Sequence, residues 1–193
     1  MKRSEINHFL DEGITFLKSR RYSLPPQAFW TLSEWNKNRD KATELAKRRI
    51  GWDLTDFGSG NYKRIGLLLY TLSNGIVGQN SEPVDQPFSN KLLIVGENQV
   101  TPLHHHRMKM EDIINLGGGN LLLKVFNVGE SESIDKASPV KIFQNEIWEE
   151  HGAGRVMTLE PGERVKARPP SLSRILGSAR EGGSPCRRSC LSE

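Results

Sequence analysis

The sequence has little cysteine, no long apolar run and no glycine-rich loop of the phosphate-binding type, and each absence excludes a class of protein. Only two cysteines occur in 193 residues, Cys186 and Cys190, so residues 1–185 offer neither a disulfide nor a thiolate metal site. No stretch approaches the roughly 20 apolar residues that span a bilayer. The polar first residues also lack a secretory segment. These features predict a cytoplasmic protein without a membrane anchor.

The positive net charge of +4 is confined to the C-terminal segment. Seven of the 27 basic residues but only two of the 23 acidic residues lie in residues 164–193, so the remaining chain holds 20 basic and 21 acidic residues. The segment contains no aromatic residue to interleave with its charges. We therefore predict no nucleic-acid partner. A chain of this length is long enough for one sizeable core and short for two.

The first fifty residues are predicted to be helical. Between residues 4 and 20, apolar side chains recur at spacings of three and four, which predicts an amphipathic helix with Ser4 as its N-cap. The Leu24-Pro25-Pro26 link is expected to be extended. A second helix is predicted from Ser33 to the basic end at Arg49. We expect both helices to serve packing and not chemistry.

From residue 51 the pattern changes to short strands joined by turns. Asp53 and Asp56 are candidate site carboxylates in a turn-rich segment, but such residues more often hydrogen-bond their own backbone. Short strands behind N-terminal helices predict a barrel or sandwich with helical additions. Five strands are predicted, over residues 64–75, 91–95, 120–128, 139–143 and 155–159.

Three of the five histidines are consecutive, at positions 104–106. Because side chains alternate along a strand, His104 and His106 are predicted to share one face and His105 to lie on the other. A turn after His106 would bring Glu111 beside that pair. Two imidazoles and a carboxylate suit a divalent metal, and the lack of thiolates favours manganese, iron or cobalt over structural zinc. A solvated polar loop is the alternative interpretation.

The spacing His104-x-His106, Glu111 and Gly118 resembles the first motif of the cupin superfamily, whose small jelly-roll barrels hold a metal inside. The wider sequence resembles the D-lyxose isomerase family from the N-terminus to about residue 163. The segments that carry this resemblance are Pro25-Pro26, Trp30, Trp35, Gly51–Gly58, Gly66-Leu-Leu-Leu, Gln99-Val-Thr-Pro-x-His and Glu111–Gly119.

The resemblance implies a mainly β protein, a cupin double-stranded β-helix with two N-terminal helices. It also implies a homodimeric, usually manganese-dependent isomerase that interconverts D-lyxose with D-xylulose, and often D-mannose with D-fructose. Such an isomerisation moves a proton between neighbouring carbons through an enediol, whose negative charge a divalent metal stabilises. His104, His106 and Glu111 would hold that metal.

Lys109 matches a lysine of the family motif. It is a candidate for hydrogen bonding to a substrate oxygen or to the developing enediolate. A solvated loop cation explains this residue equally well. The reaction also requires a carboxylate base near the carbon-bound proton, and the sequence alone does not identify that base.

Residues 164–193 depart from the family pattern. That pattern continues with Pro-Gly-x-Tyr-His and Phe-Trp, and its histidine is the fourth metal ligand, whereas this segment contains no histidine. His151 lies before the last predicted strand and is a poor substitute. Reading the codons of Leu172–Gly177 one base later permits Tyr-His-Glu-Phe-Trp. We therefore predict that the tail is translated out of frame, with a divergent or disordered C-terminus as the alternative.

Three segments are predicted from these observations: a helical extension over 1–50, an incomplete cupin barrel over 51–163 and a disordered tail over 164–193. Five dispersed aliphatic residues in the tail cannot offset the entropy of ordering it. Loss of the fourth ligand is expected to impair an isomerase. A cupin that binds a metal or a sugar without turnover is the alternative function.

Overall fold

The computed structural model describes residues 1–76, 85–105, 110–167, 171–177 and 188–192, the last two by their strand pairing. The helices of this part of the chain are α1 (Arg3–Ser19), α2 (Leu32–Lys37) and α3 (Arg39–Lys47). Its strands are β1 (Gly51–Thr55), β2 (Leu67–Asn74), β3 (Ser89–Gly96), β4 (His104–His105), β5 (Glu111–Gly117), β6 (Leu121–Val128), β7 (Ile134–Asp135), β8 (Val140–Gln144), β9 (Ile147–His151), β10 (Val156–Leu159), β11 (Arg164–Ala167), β12 (Ser171–Gly177) and β13 (Arg188–Ser192). Among the described residues, no helix has the length and apolar character needed to cross a membrane.

The three helices belong to the first of two compact units, which comprises residues 1–54 and 68–92. In α1, Phe9, Gly13 and Leu17 are buried at a spacing of four, so the predicted amphipathic helix is confirmed. The prediction of Ser4 as the N-cap is wrong, because the helix already begins at Arg3. The backbone N–H of Lys2 donates to the Glu5 carboxylate at 2.6 Å, and this carboxylate stabilises the first turn.

The single helix predicted over residues 33–49 is two helices that meet at Asn38. The backbone of Asn38 leaves the helical region, with φ −108° and ψ 41°. Its side-chain amide donates to the carbonyl of Glu34 at 2.9 Å, which offers the chain an alternative to the helical ladder. At the other end of α2, the Thr31 hydroxyl accepts the N–H of Glu34 at 3.3 Å, as in a capping box.

Asp85 forms an ion pair with Arg48, the residue that follows α3. The N–H of Ile76, the Arg48 guanidinium and the N–H of Gln86 together lower the pKa of Asp85 from 3.8 to about 2. A carboxyl group with a lowered folded-state pKa stabilises the fold above its unfolded pKa, and this contribution is lost as the pH falls through the folded value.

We therefore expect the melting temperature to fall between about pH 4 and pH 2, and to fall less steeply in Asp85→Asn. Thermal unfolding followed by circular dichroism at several pH values measures this difference. Parallel pH profiles for the two proteins would contradict the assignment.

The second unit comprises residues 55–67 and 93–193 and contains two antiparallel groups of strands. One group has the order β13-β5-β11-β8-β9, and the other has the order β10-β6-β12-β4. Burial alternates along β5 and β6, so each strand turns one face inward. The inner faces supply a core of fully buried aliphatic residues, among them Ile113, Leu121, Leu123, Ile142, Leu159 and Val165. In the first unit, β1, β2 and the first half of β3 (residues 89–92) lie side by side in that order. The predicted mainly β class with N-terminal helices is confirmed.

The described residues after position 163 (164–167, 171–177 and 188–192) continue the β-sheets, within the segment for which the sequence predicted a disordered tail. Val165 in β11 is fully buried and lies opposite Ile113 of β5. Strand β12 pairs along its whole length with β6, and β13 pairs with β5. The expectation of disorder counted only the aliphatic side chains. It omitted the backbone hydrogen bonds that these segments form with strands of the body.

Candidate functional site

The segment before the histidines is anchored by Gln99. Its side chain is buried, its Nε2 donates to the carbonyl of Tyr62 at 2.5 Å, and its Oε1 accepts the N–H of Gly96 at 2.8 Å. The next residue, Val100, donates its N–H to the carbonyl of Arg64 at 2.9 Å. These contacts fix the position at which the chain enters β4.

The Gln99 contacts require a glycine at position 66. A Cβ on Gly66 would lie 2.5 Å from the Tyr62 carbonyl oxygen and 2.9 Å from Gln99 Nε2. We expect Gly66→Ala to lower the free energy of unfolding by about 1–3 kcal/mol, because the backbone or Gln99 must move. Gly152→Ala is the matched control, since its Cβ would meet nothing within 4 Å. Urea denaturation of both variants measures the difference, and equal midpoints would contradict this role for Gln99.

The backbone register places His104 in a cross-strand row with the inner-face residue Val125, while the His104 side chain itself is exposed. His104 is registered opposite Ser173 of β12, which is in turn opposite Val125 of β6. Residues directly opposite on antiparallel strands share a face, and Val125 is buried with Leu121 and Leu123. Position 105 falls in the next row, opposite Leu172, and therefore on the other face.

The imidazole of His104 is held in one orientation by a backbone carbonyl. Its Nδ1 lies 3.0 Å from the carbonyl oxygen of Pro102. Because a carbonyl oxygen only accepts hydrogen bonds, Nδ1 must carry the proton. In the neutral ring Nε2 then holds the lone pair, which is the arrangement found in metal-binding histidines.

Glu111 begins β5 and is buried, with 7% of its surface exposed. Glu111 shares the inner face of β5 with Ile113 and Asn115, whereas Asp112 lies on the outer face. Arg164 of β11 donates its Nε to Asp112 Oδ1 at 3.1 Å. Neighbouring carboxylates on β5 therefore have different surroundings, one in the interior and one in a half-exposed ion pair.

The other predicted site residues are only partly placed. His106 and Lys109 lie outside the described residues. Asp56 accepts the N–H of Gly58 at 3.1 Å, as a turn residue does, and Asp53 is exposed on β1. Among the residues that the structure describes, no three His, Cys, Asp or Glu side chains form a metal-binding group. His151 instead donates its Nε2–H to the Glu149 carboxylate at 3.0 Å.

Asn115 is a positioning residue that the sequence did not single out. It is fully buried, and its Nδ2 donates to the carbonyls of Gly119 and Leu159 at 2.9 and 2.8 Å. Its Oδ1 accepts the N–H of Gly117 at 3.0 Å. Asn115 thereby joins the end of β5 to the following turn and to the end of β10. An asparagine two residues before three consecutive glycines was the available signal.

We expect Asn115→Ala to lower the free energy of unfolding by about 2–4 kcal/mol, because buried backbone groups lose their partners. Asn127→Ala is the matched control. It removes one exposed hydrogen bond to the Pro139 carbonyl, and we expect a loss below about 1 kcal/mol. Chemical denaturation of both variants measures the two losses. Similar losses would contradict the structural role of Asn115.

A model of the D-lyxose isomerase family matches residues 1–181. A D-lyxose/D-mannose isomerase of Escherichia coli O157:H7 is 36% identical over 173 residues, which are 89% of this chain and 74% of that protein. A protein of the same description from Serratia proteamaculans is 34% identical over 166 residues, which are 86% of this chain and 72% of that protein.

Similar solved structures include two L-ribose isomerases. The enzyme of Cellulomonas parahominis with L-psicose has a TM-score of 0.58 at 16% identity, over all of this chain and 83% of that one. The enzyme of Acinetobacter sp. DL28 with L-ribose has a TM-score of 0.57 at 15% identity, over all of this chain and 81% of that one. At this identity the likeness shows the fold alone, and it agrees with the predicted mainly β fold with N-terminal helices. With the family match and the two curated relatives, the chain belongs to the D-lyxose isomerase family.

Proposed function

We propose that this chain is an aldose–ketose isomerase that interconverts D-lyxose and D-xylulose, with D-mannose and D-fructose as a second substrate pair. The observation that carries the proposal is the buried, inward-facing carboxylate of Glu111 in a chain of the D-lyxose isomerase family. The two curated relatives are named as D-lyxose/D-mannose isomerases. Because both curated relatives are named as isomerases, the alternative of a cupin that only binds a metal or a sugar is not favoured.

The residues of the inner face fit a divalent metal in the chemistry of their donors. The Nδ1–H of His104 is held by the Pro102 carbonyl, so Nε2 is the ring nitrogen that would bind a metal. Glu111 offers carboxylate oxygens in a buried setting. We propose that these two residues and His106 hold the metal, with manganese the best match to a nitrogen and oxygen donor set without thiolates. When bound, the metal supplies Lewis-acid stabilisation of the negative charge on the enediol oxygens.

Other residues of the chain orient the proposed metal ligands. The Pro102 carbonyl fixes the tautomer of His104, and the buried contacts of Gln99 fix the start of the histidine run. The ion pair between Arg164 and Asp112 joins β11 to β5 on the outer face, so that Glu111 stays on the inner face. We propose that Lys109 donates a hydrogen bond to a substrate oxygen, as the family motif suggests.

The proposed turnover is slower than that of the curated relatives. Residues 164–193 contain no histidine that could serve as a fourth ligand, so a water molecule would complete the coordination shell. The proposal also includes a homodimer, taken from the family resemblance, and a cytoplasmic location.

A substrate panel tests the proposed activity. The purified protein, supplied with manganese, is incubated with D-lyxose, D-mannose and L-ribose, and each ketose is quantified by chromatography. We expect D-xylulose from D-lyxose as the fastest reaction and D-fructose from D-mannose as a slower one. Conversion of L-ribose alone would contradict the proposed specificity, and no conversion of any aldose would contradict the proposed function.

A further inference from the structure

A cavity of about 390 Å³ lies on the second unit at the β8–β9 hairpin. The described residues that line it are Lys141, Trp148, Glu149 and Glu150. None of them belongs to the proposed metal site. β9 is the edge strand of its sheet. Residues from both of its faces can therefore line the same cavity.

Trp148 forms an apolar platform in this cavity. It is 52% exposed, although tryptophan is usually more buried than this. Its ring packs on Phe143, which lies directly opposite on β8, with ring centroids 4.9 Å apart and an interplanar angle of 51°. The ammonium group of Lys166 lies 5.1 Å from the centroid of the Phe143 ring. The indole therefore packs on Phe143, and about half of its surface is exposed to solvent.

Polar groups surround this platform. Lys141 lies directly opposite Glu150, and both are neighbours of the Phe143 and Trp148 pair on the outer face. Glu149 is held by the hydrogen bond from His151 Nε2 at 3.0 Å. The cavity thus offers ammonium donors and carboxylate acceptors around an aromatic surface. One cation and two anions give it a net negative charge.

We propose that this cavity binds a neutral saccharide ring at a site separate from the metal site. A pyranose presents C–H groups on one face, which pack on an aromatic ring, and hydroxyl groups at its rim, which require both donors and acceptors. The net negative charge disfavours sugar phosphates and other anions. The volume lies within the range of about 300–1,000 Å³ that is typical of small-ligand pockets.

Binding of methyl α-D-mannopyranoside, measured by saturation-transfer NMR and calorimetry, tests the proposal. This glycoside cannot open its ring and is therefore not a substrate for isomerisation. We expect saturable millimolar binding that weakens by at least about tenfold in Trp148→Ala. Phe88→Ala is the matched control, since Phe88 is also exposed, at 60%, but does not line the cavity. It should bind the glycoside as the parent does.

Glu111→Gln separates this site from the proposed catalytic site. We expect that variant to bind the glycoside normally while its manganese content falls, and Trp148→Ala to isomerise D-lyxose at the parent rate. Loss of glycoside binding in Glu111→Gln would place the sugar at the metal site and overturn the proposal. Unchanged binding in Trp148→Ala, or no saturable binding by the parent, would also overturn it. A sugar phosphate that binds more tightly than the glycoside would contradict the charge argument.

Discussion

Ser173→His is expected to raise both the affinity for manganese and the rate of D-lyxose isomerisation, each by about tenfold to a hundredfold. Position 173 lies directly opposite His104 on the neighbouring strand. Side chains at such paired positions share a face, with Cβ atoms about 5 Å apart. A histidine placed there would reach the same space as His104. Codon choices for Leu172–Gly177 exist that, read one base later, permit a histidine at this position.

Leu172→His is the matched control for this substitution. It introduces the same side chain one residue earlier, opposite position 105, and therefore on the other face of the sheet. Manganese titrations followed by electron paramagnetic resonance give the affinity, and the ketose assay gives the rate. Gains in Leu172→His equal to those in Ser173→His would contradict the register argument. No gain in either would contradict a ligand position at residue 173.

Glu111→Gln is expected to weaken manganese binding and to slow isomerisation by about a hundredfold or more. The substitution keeps the size of the side chain but removes a formal charge that favours a divalent cation. Because the carboxylate is buried in the inner face of β5, no exposed acidic residue can readily replace it.

The neighbouring carboxylate supplies the control. Asp112→Asn removes the same charge from the outer face, where Asp112 pairs with Arg164. Since both groups of that ion pair are partly exposed, we expect a stability loss below about 1 kcal/mol and parental manganese content. Metal analysis after dialysis compares the two variants. Equal manganese content in Glu111→Gln and the parent would remove Glu111 from the set of ligands.

Much of the body could be predicted from local patterns. The aliphatic runs that became β2, β3, β6, β8 and β10 were predicted because strand periodicity and flanking turn residues act over a few positions. Alternation along the histidine run also predicted opposite faces for His104 and position 105, and the register of β4 agrees with it. The strand β9 was missed, because four of its five residues are exposed and no apolar pattern marks it.

Contacts between distant positions could not be predicted from such patterns. The pairing of position 173 with His104 depends on β12 lying between β6 and β4, which only the tertiary fold decides. The same holds for Gln99, whose partner Tyr62 is 37 residues away. The three strands after residue 163 were missed for a related reason. Their backbone hydrogen bonds go to strands formed much earlier in the chain.

The position of the metal is the most direct test of the proposed function. A crystal of the protein grown with manganese, measured near the manganese absorption edge, would locate the ion by its anomalous scattering. We predict one strong peak on the inner face of the second unit, bonded to His104 Nε2 and to a Glu111 carboxylate oxygen. A peak at any other position, with none between these two side chains, would contradict the account.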